Sequence, residues 1–492
     1  MKKINVVIPE KIGTVAPEIY GHFSEHIGGV FYDGLWVGKN SDIPNINGWR
    51  TEAVEALRKI NPPVLRWPGG CFAEAYNWRD GIGENRPVRP NWWTPWDKRY
   101  ETNEVGTHEF MELCELIGAK PYFAVNVTSI TPLEARNWMD YCLSPKGSTT
   151  LALDREKNGH PEPFDIPFLG IGNENWGDGG HMTPDYYALE YRRFATVLNN
   201  ICRTSGKPFE LIAGGANGGD WAWTHGLASN LSQSRAPLHA MSFHYYCGNA
   251  GDPTNFTDEE WYRQLAQAEK MEELIIRHDA ITRAYGMQVK MKQVIDEWGC
   301  WHPDGSGPSK GYNLFEQQST VRDAIVTALT LNIFNNHCDK IRMANVAQVC
   351  NNLHCLILAG GDKFTVTPTY HVFDMYKEHQ GGTTLRTVVS DNDDIRSRIS
   401  VSATEKNGAI TVTLANLSCD TDETIELSLL GINDTASNCT ASLLTADDIH
   451  AHNTFDTPEA VKPVSVKVDA SAPFVIPKAS VMSLKIIISE NR

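Results

Sequence analysis

Two short stretches place a glutamate directly after an apolar run: Gly172-Asn173-Glu174-Asn175-Trp176 and Ile295-Asp296-Glu297-Trp298-Gly299. Cleaving an acetal requires one carboxylic acid to protonate the leaving oxygen and one carboxylate to attack or stabilise the oxocarbenium-like centre. Glu174 and Glu297 form the natural pair for that chemistry. Asn173 can hydrogen-bond a sugar hydroxyl at the reacting ring, and Trp176, Trp298 and Trp301 offer flat apolar faces to sugar rings. A single glutamate at such a place reads as a solvated loop residue. Two of them, each flanked by Trp and Gly, favour catalysis. Trp67 and Trp78 read as packing residues.

The elements that must position these groups follow a regular pattern. Short apolar runs that end in polar or Gly residues recur at 18–23, 63–67, 121–127, 168–172, 211–214, 241–245, 293–295 and 340–346, with helical stretches between them. Tyr187, Tyr191, Phe194, Leu198 and Ile201 stripe one face of such a helix. Another helix is expected from Asp258 to Tyr285, with Thr257 as its N-cap and an acidic first turn. Eight strands alternating with helices predict a parallel (β/α)8 barrel, although a doubly wound sheet shares the alternation. In a barrel, function gathers at the C-terminal ends of the strands. Those ends carry Glu25 (first strand), Arg66 (second), Glu174 (fourth), His244 and Tyr246 (sixth), Glu297 (seventh) and Gln348 (eighth). Asp296 is expected to point away from Glu297, in a structural role.

After about residue 385 the texture changes to short β-branched segments at 399–403, 409–416, 424–430, 439–444, 464–468 and 481–488, broken by Asn, Asp, Gly, Ser and Pro. That pattern predicts an antiparallel β-sandwich over 386–492, joined by an N-terminal strand within 1–14, beside a catalytic barrel over 15–385.

The 492 residues carry a net charge of −16 with no block of basic residues, which argues against nucleic acid and anionic membranes as partners. Eleven scattered Cys without a CxxC, and an apolar N-terminal stub too short for a signal core, point to the cytoplasm. No HExxH occurs and the 16 His do not cluster, so no metal or other cofactor is expected. The Gly214-Gly215-Ala216-Asn217-Gly218-Gly219 stretch lacks the Gly-Lys-Ser/Thr ending of a phosphate loop and reads as the loop after the fifth strand. Cys300 reads as an inert buried or loop thiol.

Gly-Asn-Glu-Asn at 172–175 and Asp-Glu-Trp-Gly at 296–299 resemble the signatures of clan A glycoside hydrolases. More narrowly, the chain resembles the family 51 α-L-arabinofuranosidases. Four further stretches carry the likeness: Tyr20-Gly21-His22-Phe23-Ser24-Glu25-His26, Arg66-Trp67-Pro68-Gly69-Gly70, Ala344-Asn345-Val346-Ala347-Gln348 and Thr367-Pro368-Thr369-Tyr370-His371-Val372-Phe373. The resemblance implies Glu174 as acid/base and Glu297 as nucleophile. It implies that Glu25, Asn173, Tyr246 and Gln348 hold the arabinofuranosyl ring, with Arg66 and His244 standing beside the nucleophile. Many members carry Asn after the Arg-x-Pro-Gly-Gly stretch; this chain has Cys71, a poorer hydrogen-bond partner in the substrate pocket. The Trp176–Gly180 loop would shape the leaving-group side.

The expectation is a retaining, exo-acting α-L-arabinofuranosidase that acts on arabinoxylan, arabinan or their oligosaccharides, without a cofactor. Retention demands carboxyl groups about 5–5.5 Å apart, a protonated Glu174 and an ionised Glu297. The family also implies a homo-oligomer, hexamers included. The same two carboxylates would serve a β-xylosidase or an endo-glucanase, and a catalytically silent sugar-binding protein is the alternative from another class.

Overall fold

In the computed structural model, which describes residues 1–248, 250–287, 291–432 and 439–488, an N-terminal strand β1 (Lys2–Thr14) leads into eight strands separated by helices. They are β2 (Gly21–Phe23), β3 (Val64–Trp67), β4 (Lys120–Val125), β5 (Phe168–Ile171), β6 (Glu210–Asn217), β7 (Ala240–Gly248), β8 (Lys292–Trp301) and β9 (Ile341–Ala347). Each pairs in parallel with the next, and β9 pairs with β2, so the sheet closes into a barrel.

Several strands depart from the sequence expectation, β8 most of all, which runs from Lys292 to Trp301 where 293–295 was expected. β2 is shorter than the apolar run at 18–23, because Pro17–Tyr20 form a 3-10 turn and Pro17 has no N–H to give a ladder. β6 is longer: the glycine-rich stretch read as a loop continues the strand as far as Asn217. A Cβ on Gly215 would stand 1.5 Å from the carbonyl oxygen of Ser242, so only glycine lets β6 lie this close to β7.

The helices begin where the caps allow. Helix α1 (Pro184–Ser205) starts at Thr183, whose side chain accepts the Tyr186 N–H, with Pro184 in the position where a missing donor costs nothing. Gly206, at φ 71°, ends it. Tyr187, Tyr191, Phe194, Leu198 and Ile201 are all buried, at about 1.5–3 kcal/mol for each large apolar side chain removed from water. Helix α2 (Asp258–Ala284) is opened by Thr257 and Glu260, which satisfy each other's backbone N–H. Helix α3 (Val321–Asn336) is buried around its whole circumference, because the barrel covers one side and the C-terminal sheet the other. Asn332 and Asn335 hydrogen-bond Ser400 and Ser402 across that junction, each at 3.0 Å.

Inside the barrel, Val64, Tyr122, Phe168, Ile212, Ala240, Val294 and Met343 form one packed layer. At the N-terminal mouth Arg342 bonds Glu18 (2.7 Å) and Glu210 (2.8 Å), and Lys120 joins Glu18 at 2.9 Å. The C-terminal mouth is thereby left for chemistry.

The last part of the chain forms β10 (Thr383–Val389), β11 (Ile399–Lys406), β12 (Ala409–Asn416), β13 (Glu423–Leu430), β14 (Cys439–Leu444), β15 (Val464–Val466), β16 (Phe474–Ile476) and β17 (Ser480–Ile487). With β1 they make one hydrogen-bonded sheet in the order β15-β14-β17-β12-β11-β10-β1-β13-β16 around a second core that includes Ile4, Val6, Leu385, Val412 and Leu484. β1 pairs antiparallel with β10 but parallel with β13, where the sequence reading expected antiparallel neighbours throughout. The reason is that β1 arrives from the far end of the chain and needs no hairpin to join the sheet. Residues 433–438 and 489–492 of the expected C-terminal module lie outside the described residues. Among the described residues no helix is long and apolar enough to cross a membrane.

Candidate active site

Strand alternation turns Val64 and Arg66 of β3 into the barrel, and Leu65 and Trp67 out into the helical layer, where Trp67 stacks on Phe110 at 4.9 Å. On β8 the alternation is broken. Phe243 pairs with Ile295 but His244 with Glu297, so Asp296 is an extra residue on the bulged strand. Asp296 therefore faces inward, accepting the Tyr122 hydroxyl at 3.1 Å, and Glu297 faces the cavity as well. This corrects the expectation that the two acids point opposite ways: the bulge absorbs the half-turn of the pleat.

Arg66 forks between two strand ends. Its Nη1 donates to Glu297 Oε1 and its Nη2 to Asn173 Oδ1, both at 2.7 Å. The Tyr246 hydroxyl donates to Glu297 Oε2 at 2.8 Å. His244 Nδ1 lies 2.9 Å from Glu174 Oε1 and 3.4 Å from Glu297 Oε2. One oxygen of Glu174, one of Glu297 and a ring nitrogen of His244 all stand within 4.8 Å of one another. Burial pushes the Glu297 carboxyl up, but the charges of His244 and Arg66, with the bonds from Arg66 and Tyr246, hold it below the usual carboxylate range. His244 moves the other way: burial disfavours its charge, and the two glutamates more than restore it.

Glu25 closes the far side. Its Oε1 accepts the N–H groups of Gly70 (3.1 Å) and Phe72 (2.9 Å) and the Trp93 indole N–H (3.2 Å), while its own backbone N–H donates to Gln348 Oε1 at 2.9 Å. Burial, and then the Glu297 charge, push its carboxyl up to about 7. The loop that carries it is pinned by His26, whose Nε2 accepts from the donor-only Trp67 indole at 2.9 Å, leaving Nδ1–H for Glu101 at 3.0 Å.

Between the strand ends lies one narrow cavity. Glu25, Cys71, Asn173, Glu174, Tyr246, Glu297 and Gln348 all face it. Burial and the surrounding carboxylates push the Cys71 thiol far up, which keeps it protonated. Two tryptophans expected at the sugar are elsewhere. Trp298 is 1% exposed and packs edge-on against Phe334 at 5.3 Å, because the residue after Glu297 returns to the outward face of β8. Trp176 packs, half-buried, against the helical layer rather than lining the cavity. Trp301, 39% exposed, takes the place at the rim beside Tyr246 and Phe315. Trp93 and Phe315 were missed by sequence reasoning because they sit in long loops and not at strand ends. The run of Trp92, Trp93 and Trp96 was the available signal.

Two sets of metal-capable donors occur among the described residues. Glu174 is already bonded to His244, and Glu297 to Arg66 and Tyr246. In the other set, Cys300, His302 and Asp323, the His302–Asp323 distance is 2.8 Å, that of a hydrogen bond, and Cys300 accepts the Gln264 amide at 3.2 Å.

Residues 56–265 match the family model described as "Alpha-L-arabinofuranosidase 1 domain", and residues 296–480 the one described as "Alpha-L-arabinofuranosidase C-terminal domain". An intracellular exo-α-L-arabinofuranosidase of Bacteroides ovatus is 39% identical over 468 residues, covering 92% of this chain and 88% of the relative. Among solved structures, the GH51 arabinofuranosidase of Xanthomonas axonopodis pv. citri superposes with a TM-score of 0.92 at 35% identity over 99% of both chains. The α-L-arabinofuranosidase of Thermotoga maritima, solved with arabinose, gives 0.85 at 27% identity over 99% of this chain and all of that one. A (β/α)8 barrel with an attached C-terminal sheet, paired glutamates at its C-terminal mouth and relatives matched nearly end to end lead to one conclusion: the chain belongs to the family 51 α-L-arabinofuranosidases of the glycoside hydrolases.

Proposed function

We propose that this chain is a retaining, exo-acting α-L-arabinofuranosidase in which Glu297 is the nucleophile and Glu174 the acid/base. The observation that carries the reading is the approach of the two carboxylates, with one oxygen of each inside 4.8 Å. That spacing fits the roughly 5–5.5 Å of double displacement and falls short of the roughly 6.5–9.5 Å that an inverting enzyme keeps open for water. The surroundings divide the roles. Glu297, bonded by Arg66 and Tyr246, is held in the ionised form that attacks carbon. Among the described residues the Glu174 carboxyl bonds His244 alone, and it faces the cavity.

In the first step a Glu297 oxygen bonds to the anomeric carbon as the bond to the leaving oxygen breaks, and Glu174 gives that oxygen its proton. Water then attacks the same carbon, Glu174 takes a proton from it, and Glu297 leaves as a carboxylate. Glu25, Asn173, Tyr246, Gln348 and Cys71 would contact the ring in the cavity. The narrowness of the cavity between the two glutamates supports removal of one terminal residue over an endo-acting cleft. Arabinosyl side groups of arabinoxylan, arabinan or their oligosaccharides are the proposed substrates. The eleven free cysteines and the relative described as intracellular favour action in the cytoplasm, on imported oligosaccharides.

The test is Glu297→Ala. Turnover of 4-nitrophenyl α-L-arabinofuranoside should vanish, and azide should restore it by forming a glycosyl azide of inverted configuration. Retained activity without azide would remove Glu297 from the nucleophile's role.

A further inference from the structure

Glu74 sits in the short 3-10 turn Cys71–Ala75 that follows β3, sealed from solvent and outside the cavity lining. Its Oε2 accepts the backbone N–H groups of Val127 and Thr128, both at 2.9 Å, in the segment after β4. Its Oε1 accepts the backbone N–H of Asn173 at 2.7 Å and the Asn175 side-chain amide at 3.1 Å, in the segment after β5. Asn175 and the Thr128 hydroxyl both donate onward to the carbonyl of Gly179, each at 2.8 Å. One carboxylate thus ties together the ends of three consecutive barrel strands.

All four of its partners are N–H donors. An ionised carboxylate is the one side chain of this shape that accepts on both oxygens; an amide or a protonated acid would turn a donor toward a donor. Between the two residues bonded to Oε1 lies Glu174, whose φ of +44° is in the left-handed region that side chains avoid. Such a conformation persists only where the surroundings over-determine it. Here the tie comes from Glu74 on both sides, through the Asn173 backbone and the Asn175 side chain.

We infer that Glu74 is a positioning residue for the proton donor: acting through Asn173 and Asn175, its carboxylate holds the turn that aims Glu174 at the departing oxygen. This rests on the acid/base assignment proposed above. In the first step, which kcat/KM reports, a misaimed acid harms only those substrates whose leaving group needs a proton, whereas loosened packing harms all substrates alike.

Glu74→Gln, which keeps the shape and changes one acceptor into a donor, should be assayed on 4-nitrophenyl α-L-arabinofuranoside and on an α-1,5-linked arabino-oligosaccharide. On the oligosaccharide kcat/KM should fall by roughly 10- to 100-fold, the scale of a misplacement of about 1 Å. On the aryl substrate, whose leaving group departs without a proton, the loss should stay below about threefold. Equal losses on both substrates, or no loss on either, would overturn the inference. Should the variant not fold, Asn175→Ala removes one of the four donors and leaves the three backbone bonds; it should show the same leaving-group dependence at smaller amplitude, and equal losses there would overturn the inference too. Glu174→Ala run alongside separates the two readings. If Glu174→Ala itself fails to discriminate the substrates, the acid/base assignment falls; if it discriminates and Glu74→Gln does not, only the positioning role falls.

Discussion

Tyr246→Phe removes a single oxygen from the cavity and leaves the ring that packs edge-on against Trp301 at 5.2 Å. The lost atom, on a half-buried ring, donates to Oε2 of the buried Glu297 at 2.8 Å. A hydrogen bond to a charged group contributes about 1.5–3 kcal/mol. Losing it should let Glu297 titrate higher in the variant, still below what burial alone would impose, because Arg66 and His244 remain. The sign follows from the direction of the shift. Glu297 is held below its ordinary value and must be ionised to attack, so activity is present above its folded pKa and lost as pH falls through it. Raising that pKa moves the acid limb of kcat/KM to higher pH. The assay is kcat/KM for 4-nitrophenyl α-L-arabinofuranoside across the acid range, wild type against variant, with the limb read as an apparent value for coupled groups, since Glu25 and His244 titrate in the same cavity. An acid limb that stays in place or moves to lower pH would refute this account of how the nucleophile is kept ionised.

Further outcomes follow from packing. Trp301→Ala should raise KM several-fold with little change in melting temperature, because Trp301 stands at the cavity rim. Trp298→Ala should instead cost about 3–5 kcal/mol of stability, the range for truncating a large buried aromatic; chemical denaturation and KM for the two variants decide it, and a reversal would mean the β8 register is wrong. Gly215→Ala should abolish soluble expression, since its Cβ would meet a backbone carbonyl at 1.5 Å, whereas Gly177→Ala, whose nearest contact would be 3.7 Å, should express as wild type.

Much of the architecture was legible along the chain because it rests on local periodicity. The eight apolar runs marked the eight barrel strands, and the stripe from Tyr187 to Ile201 marked the buried face of α1. The change to short β-branched segments marked the C-terminal sheet. Glu174 and Glu297 could be singled out because barrel geometry makes strand ends converge whatever the loops do. The parallel pairing of β1 with β13 was not legible, since those segments lie more than 400 residues apart and nothing local encodes which way they meet.

What the sequence by itself determined is therefore the number and order of the elements and the chemical types offered at their ends. Only the tertiary structure decided which side chains face the cavity. The bulge at Asp296 shifts a period of two by one residue, which turns Asp296 and Glu297 inward together and sends Trp298 into the helical layer. A bulge is fixed by how a strand fits its two neighbours, and no pattern in one strand reveals it. The same holds for Trp93 against Glu25 and for Glu74 against Val127 and Asn173. Each pair joins loops far apart in the chain, and they meet because the closed barrel gathers its loops over one mouth.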